Sequence, residues 1–375
     1  MWSDLFRNHE VLRLSVTDAR FTAAVIYLGV ALAVLLSCRR NDRAPGFLDP
    51  MVTTQLRGIA MILVVVGHVG KHLIEPSVGY PIFGRIGVSM FFLLSGYGLA
   101  RSQHGRPIEL GAFVRKRLWR VFAPYWLITL LILLLDFLLL GRTYSPVTIS
   151  ATLLGVNLSD ATTSLDYVRW FITALLFWYI AFVGLWRFAG GRRGRALGAL
   201  LLGLGLMLLS YYGPGISDSF LAFPAGMILS LYHGEIKGAV SAANTRKKSA
   251  AGAVLLGSIC IFLVHHALPL LVERVPFILI TFSEDLLNTT IALSLILACA
   301  GVSRISSGAL SLVGVLSFEL FLIHCLAMLK YDIVLWRGPV WVTFWPYAFI
   351  VLAAAKGFAL LVERLKRLAG GKAAL

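Results

Sequence analysis

The sequence predicts an all-α fold, a polytopic bundle of about eleven transmembrane helices (ten if one short turn joins two spans), with the C-terminus cytoplasmic. Three observations carry this. The 375 residues are 58% hydrophobic and only 14% charged, with a mean hydropathy of +0.83, whereas an ordinary soluble domain carries about 25% charged residues. Apolar runs recur at lengths near the ~20 residues a helix needs to cross a bilayer. Basic residues gather in every second connecting segment, the pattern of the positive-inside rule.

The runs lie near 21–38, 54–74, 86–102, 121–140, 168–186, 196–212, 217–232, 249–271, 286–302, 309–328 and 341–362. They are long and show no period of two, so strands are not expected. The first run exits at Arg39, Arg40 and Arg43. Alternation puts 101–120, 187–195, 233–248, 303–308 and the tail after 363 on the same, cytoplasmic side. That side, with Arg57, holds 23 of the 34 basic residues. The short 213–216 turn and the single charge of 303–308 are where a missed or false helix would break the parity.

The net charge of +16 then reads as membrane topology, and no nucleic-acid partner is expected; the bilayer is the partner the composition calls for. Cys38, Cys260, Cys299 and Cys325 sit in or beside apolar runs and read as small buried hydrophobes, without disulfide or metal spacing. The first apolar run begins near Phe21 with no small-residue cleavage site after it, so a cleavable signal peptide is not expected. Residues 1–375 read as one membrane domain: a tail and extra helix over 1–49, a core over 50–330, and a last helix with a basic tail over 331–375. The outward loop 141–167, with Asn157, Asp160 and Asp166, is long enough to be functional or packed on the bundle.

Ionisable groups within a spanning helix are costly and mark candidate sites. The second helix reads Gln55-Leu56-Arg57-Gly58-Ile59-Ala60 and, further on, Gly67-His68-Val69-Gly70-Lys71-His72. Arg57 sits at the cytoplasmic mouth, and His68 lies about 16 Å deeper at the helical rise. Imidazole titrates near neutrality, so His68 can take a proton from a hydroxyl or be acylated itself; it could also serve only as a packing hydrogen bond. His72, four residues on, gives a metal-type spacing, but no third ligand is evident on that helix and Lys71 disfavours a cation. No metal is expected.

The third helix carries Gly87-Val88-Ser89 and Phe91-Phe92-Leu93-Leu94-Ser95-Gly96-Tyr97-Gly98, small residues that let helices or a ligand chain approach closely. Then come Arg115-Lys116-Arg117-Leu118-Trp119-Arg120 and Pro124-Tyr125-Trp126. Arg117 and Arg120 share a face at i and i+3. Their guanidinium forks suit phosphate oxygens, or serve as plain positive-inside anchors. In Ser317-Phe318-Glu319-Leu320-Phe321-Leu322-Ile323-His324, Glu319 is a carboxylate well inside an apolar run. It could orient His68 and stabilise its cation, or pair with Lys356 on the last helix. Asp136 is a further intramembrane acid without a visible role.

Leu56-Arg57-Gly58-Ile59-Ala60 with His68, Phe91 to Tyr97, Arg117-Leu118-Trp119-Arg120 with Pro124-Tyr125-Trp126, Arg169-Trp170-Phe171, and Ser317 to His324 together resemble the acyltransferase-3 family of integral membrane acyltransferases. The resemblance covers roughly 50–330. It implies a bacterial, multi-pass inner-membrane enzyme that uses acetyl-CoA as donor and a hydroxyl of a cell-envelope, lipid-linked or exported glycan as acceptor. His68 would be the catalytic histidine, assisted by Glu319. Arg57, Arg117, Arg120, Ser95 and Tyr125 make up the expected donor-binding set, with Ser95 as a candidate oxyanion donor. The resemblance also admits glycan-assembly proteins as partners, because no soluble transfer domain is evident in the sequence. Two rivals remain at this stage: a proton-coupled transporter of a small organic anion or sugar, and a non-catalytic subunit of a polysaccharide assembly. No internal repeat or pair of broken helices favours the transporter.

Overall fold

A chain surrounded by hydrocarbon must satisfy its backbone hydrogen bonds internally, which favours helix wherever the sequence is apolar. The computed structural model describes residues 19–41, 46–73, 81–157, 165–166, 168–212, 219–241, 257–258, 260, 277–301 and 305–368. Its helices are α1 (Ala19–Leu36), α2 (Pro50–Leu73), α3 (Pro81–Ser102), α4 (Leu110–Arg117), α5 (Ala123–Leu140), α6 (Pro146–Leu153), α7 (Trp170–Phe188), α8 (Gly191–Tyr212), α9 (Ala222–Leu231), α10 (His233–Ser241), α11 (Phe277–Gly301), α12 (Gly308–Val315), α13 (Ser317–Cys325) and α14 (Val340–Leu368).

Seven helices among the described residues are long and apolar enough to cross a membrane. An eighth is added if α12 and Ser317–Lys330, bent by 73°, form one broken span. The fold is therefore an all-α polytopic bundle. The difference from eleven has identifiable sources. The expected span 249–271 lies almost wholly outside the described residues. The one near 217–232 contains only the ten-residue α9, about 15 Å long against a hydrocarbon core of about 30 Å. The one near 309–328 is the bent pair, and the one near 196–212 is α8, a helix of 22 residues that opens on Arg192, Arg193 and Arg195 and is not among the seven.

Two further departures are local. The loop expected over 101–120 is helical from Leu110, and α4 runs into α5 through a π-helical turn, Leu118–Phe122, closed by Ala123 N donating to Leu118 O. Pro124 explains the turn: it has no N–H, and its ring would clash with the carbonyl of Arg120 in a regular helix. Strands were not expected, yet β1 (Cys38–Arg40) pairs antiparallel with β2 (Ile305–Ser307), Arg39 opposite Ser306. Polar Arg39, Arg40, Ser306 and Ser307 leave hydrocarbon here and no longer need a helix. The ribbon puts the ends of the first and ninth expected spans on one side of the bundle, as the charge alternation requires.

Small residues set how closely the helices approach. A Cβ on Gly314 of α12 would sit 1.9 Å from the carbonyl oxygen of Thr54 on α2, and one on Gly226 of α9 would sit 1.9 Å from that of Leu93 on α3. No larger residue fits either crossing, so α12 meets α2, and α9 meets α3, at backbone contact. The buried core is aromatic, with Trp178 of α7 stacked on Phe223 of α9 at 4.7 Å. Outward positions are apolar too: Leu28 is 71% and Phe349 73% exposed, as lipid-facing residues should be. The loop after α5 packs back on the bundle through α6, N-capped by Ser145, whose Oγ accepts from Thr148 N. Trp126 Nε1 donates to Leu153 O at 2.7 Å.

Candidate active site

Close packing of α2, α3, α12 and α13 against α4, the π-helical turn Leu118–Phe122 and α7 leaves a cavity of about 470 Å³ at the Arg57 end of α2. Arg57, Ser95, Lys116, Arg117, Arg120 and Glu319 all line it. Four cations thus face one carboxylate. The Arg117 guanidinium lies over the rings of Phe113 and Tyr179 at 5.2 and 5.1 Å, and its buried Nε has no hydrogen-bond partner. Arg57, Arg117 and Arg120 all act electrostatically on the buried Tyr179. Ser317, which opens α13 after the break at Leu316, is also in the wall, so the positive end of that helix adds to the field. A cavity with this charge is built for an anion.

His68 lies elsewhere. It is half-buried, eleven residues along α2 from Arg57 and five before the helix ends, hence nearer the far end than the middle. Its ring faces that of His324, 5.3 Å away between centroids. His324 is fully buried on α13. Its Nδ1 is 2.9 Å from Leu320 O and 3.0 Å from Phe321 O. Carbonyls only accept, so Nδ1 carries the proton and Nε2 presents its lone pair, with Cys325 Sγ 3.3 Å away. The donor atoms of His68, His324 and Cys325 lie within 4.8 Å of one another.

Aromatic rings separate the two places. Phe91, Phe171 and Phe321 are in the cavity wall. Phe171 packs 4.8 Å from Phe321, and Phe321 lies 6.2 Å from His324. Phenylalanine rings thus stand between the arginine cavity and the His68–His324 pair.

Of the residues singled out from sequence, Arg57, Arg117, Arg120, Ser95 and Glu319 come together in one cavity. Glu319 shares that cavity with the arginines, and the group facing His68 is His324, a residue of the same motif five positions on. Lys356, offered as a partner of Glu319, is exposed on α14; Lys366 and Glu363 are the charges of that helix that act on Glu319. Tyr125 does not line the cavity. It is buried beneath the Arg169 guanidinium at 4.9 Å, donates to Thr152 O at 2.7 Å and accepts from Asn157 Nδ2 at 3.2 Å. Arg169 Nη1 donates to Thr129 Oγ1 at 2.7 Å. Asp166 is buried; Asp160 and the side chain of His72 lie outside the described residues. His324 and Tyr179 had no role in the sequence reading. The rule that flagged His68, an ionisable group inside an apolar run, applies equally to His324.

Asp136 acquires a role as well. Its Oδ2 accepts from Lys330 Nζ and from Tyr144 OH, both at 2.6 Å, and its Oδ1 from Tyr331 OH at 2.6 Å. Lys330 also donates to Leu165 O at 2.8 Å. Both charges are buried and matched, and the pair ties α5 to the π-helical turn Leu326–Lys330 after α13.

Comparison with known proteins adds one finding. The family model described as an acyltransferase domain matches residues 54–364, which takes in every motif above and most of the last helix. No curated protein and no solved structure matches the chain. A match over this much of the chain, on a helical membrane bundle with its arginines gathered in one cavity, means that the chain belongs to the acyltransferase-3 family and is a membrane acyltransferase.

Proposed function

We propose that the protein transfers an acyl group, acetyl by family resemblance, from cytoplasmic acyl-CoA to a hydroxyl of a lipid-linked or exported glycan in a bacterial inner membrane. The observation that carries this reading is the convergence of Arg57, Lys116, Arg117 and Arg120 on one cavity. Coenzyme A bears several phosphate charges, and guanidinium forks bind such oxygens in pairs. The pantetheine arm then reaches past Phe171 and Phe321 toward His68, about 16 Å along α2.

At His68 the imidazole takes the proton of the acceptor hydroxyl as that oxygen attacks the thioester carbonyl, or is acylated first and passes the group on. Either route ends with coenzyme A thiol and an acyl ester. Ser95, in the cavity wall, is a candidate donor to the coenzyme A portion. Glu319 limits the excess positive charge and so keeps the cavity from holding its anion too tightly.

The test uses the full-length protein in proteoliposomes with labelled acetyl-CoA and membranes that supply the acceptor. Label should appear covalently on glycan, and His68→Ala should lower the rate by a factor on the order of 10²–10⁴, the usual worth of a positioned acid–base group. Full transfer by that variant would end the assignment. Movement of substrate with no covalent label would favour the transporter reading instead.

A further inference from the structure

We infer that His68, His324 and Cys325 form a binding site for one divalent zinc ion. The sequence offered His68 and His72 on one helix and no third ligand. The fold supplies two candidates from α13, so that the donor atoms of all three residues fall within 4.8 Å of one another.

The orientation of His324 is what distinguishes this cluster from chance proximity. Its Nδ1–H is held by two backbone carbonyls of its own helix, at 2.9 and 3.0 Å. That is the kind of contact by which metal-binding histidines fix their tautomer. The lone pair on Nε2 is thereby aimed into the cluster, toward Cys325 Sγ at 3.3 Å. His324 is fully buried and Cys325 is 2% exposed, so both ligands are already ordered and desolvated.

The donor set selects the metal. Two imidazoles and a thiolate suit zinc, and exclude magnesium and calcium, which take oxygen ligands. Three protein ligands leave a fourth tetrahedral position open. Asp166 and Lys71 act on Cys325 with opposite sign, so their charges offset each other, and the thiolate takes up one of the two charges of the cation. On binding, the Cys325 proton is released to solvent as the sulfur–zinc bond forms.

Zinc on His68 occupies the lone pair that acyl transfer needs, so zinc should inhibit the enzyme. This consequence rests on the proposed function; the site itself does not.

The full-length protein, purified in nanodiscs and stripped with a chelator, is dialysed against zinc in the presence of excess magnesium, and bound metal is counted by mass spectrometry. About one zinc per chain is expected, as for a single three-ligand site. Zinc should protect Cys325 from alkylation while Cys260 stays reactive. Cobalt in its place should give a thiolate charge-transfer band. His324→Gln and Cys325→Ser should each lose the metal, and Cys299→Ser should keep it. If a variant fails to fold, the alkylation and cobalt measurements on the wild-type protein still decide. Absence of zinc from the wild-type protein, or undiminished binding by folded Cys325→Ser, overturns the site and leaves a plain thiol–imidazole hydrogen bond. Stoichiometric zinc without inhibition of transfer would leave the site standing and remove His68 from the chemistry.

Discussion

Two places in this bundle gather charge, and they do it in opposite ways. Around Asp136 each charge has its match. The carboxylate receives three hydrogen bonds, the Lys330 ammonium ion donates to Asp136 Oδ2, Tyr144 and Leu165, and both residues are at most 1% exposed. At the arginine cavity four cations face one carboxylate and Arg117 Nε has no partner. An ionisable group inside a membrane is a candidate site by default. The contrast refines that rule: a charge whose partners are all supplied by the protein holds the fold together, and a surplus charge beside a cavity waits for a ligand.

The sharpest way to break the comparison is Asp136→Ala. It strands the Lys330 ammonium ion in the core and should cost about 3–5 kcal/mol, read as loss of monodisperse protein in detergent. The double variant Asp136→Leu with Lys330→Met should recover most of that. Gly314→Leu should cost about 1–3 kcal/mol by overpacking, because its side chain enters the Thr54 carbonyl, and should impair donor binding by displacing Arg57. Arg117→Ala should leave the melting temperature nearly unchanged while raising KM for the acyl donor about tenfold, the loss of one charge-assisted hydrogen bond. Arg117→Lys should recover only part, since an ammonium lacks the planar fork. Weakest of all, Arg85→Ala removes a 2.7 Å ion pair with Glu284 that is partly exposed at both ends; its cost should stay below about 1 kcal/mol. A large effect there, or a small one at Asp136, would undo the distinction.

Much of this was legible in the sequence because membrane sequences carry strong local signals. Hydropathy located α1, α2, α3, α5 and α7, and arginine spacing located the cavity wall. What was not legible depends on contacts between distant segments. Nothing local says that Arg39 will pair with Ser306. Its place inside one apolar run made Glu319 a candidate partner of His68, but Leu316 breaks the span by 73°, so Glu319 shares the cavity of the arginines and His324 faces His68. Tyr125 stands among the family motifs, yet its hydroxyl and ring are fully used by Thr152, Asn157 and Arg169. Cys325 looked like a small hydrophobe because the histidines beside it come from one neighbouring position and one distant helix.

The β1–β2 ribbon bears on how the chain is assembled. Helix α1 is made before α14, yet the strand that follows it pairs with 305–307, and its neighbours include Trp341 and Trp345 of α14. During synthesis α1 must therefore sit in the bilayer with early contacts such as Tyr27 on Phe83 of α3 but without its contacts to α14 and the ribbon until most of the chain has been inserted. It is early to enter and late to dock, and its lodging closes the bundle.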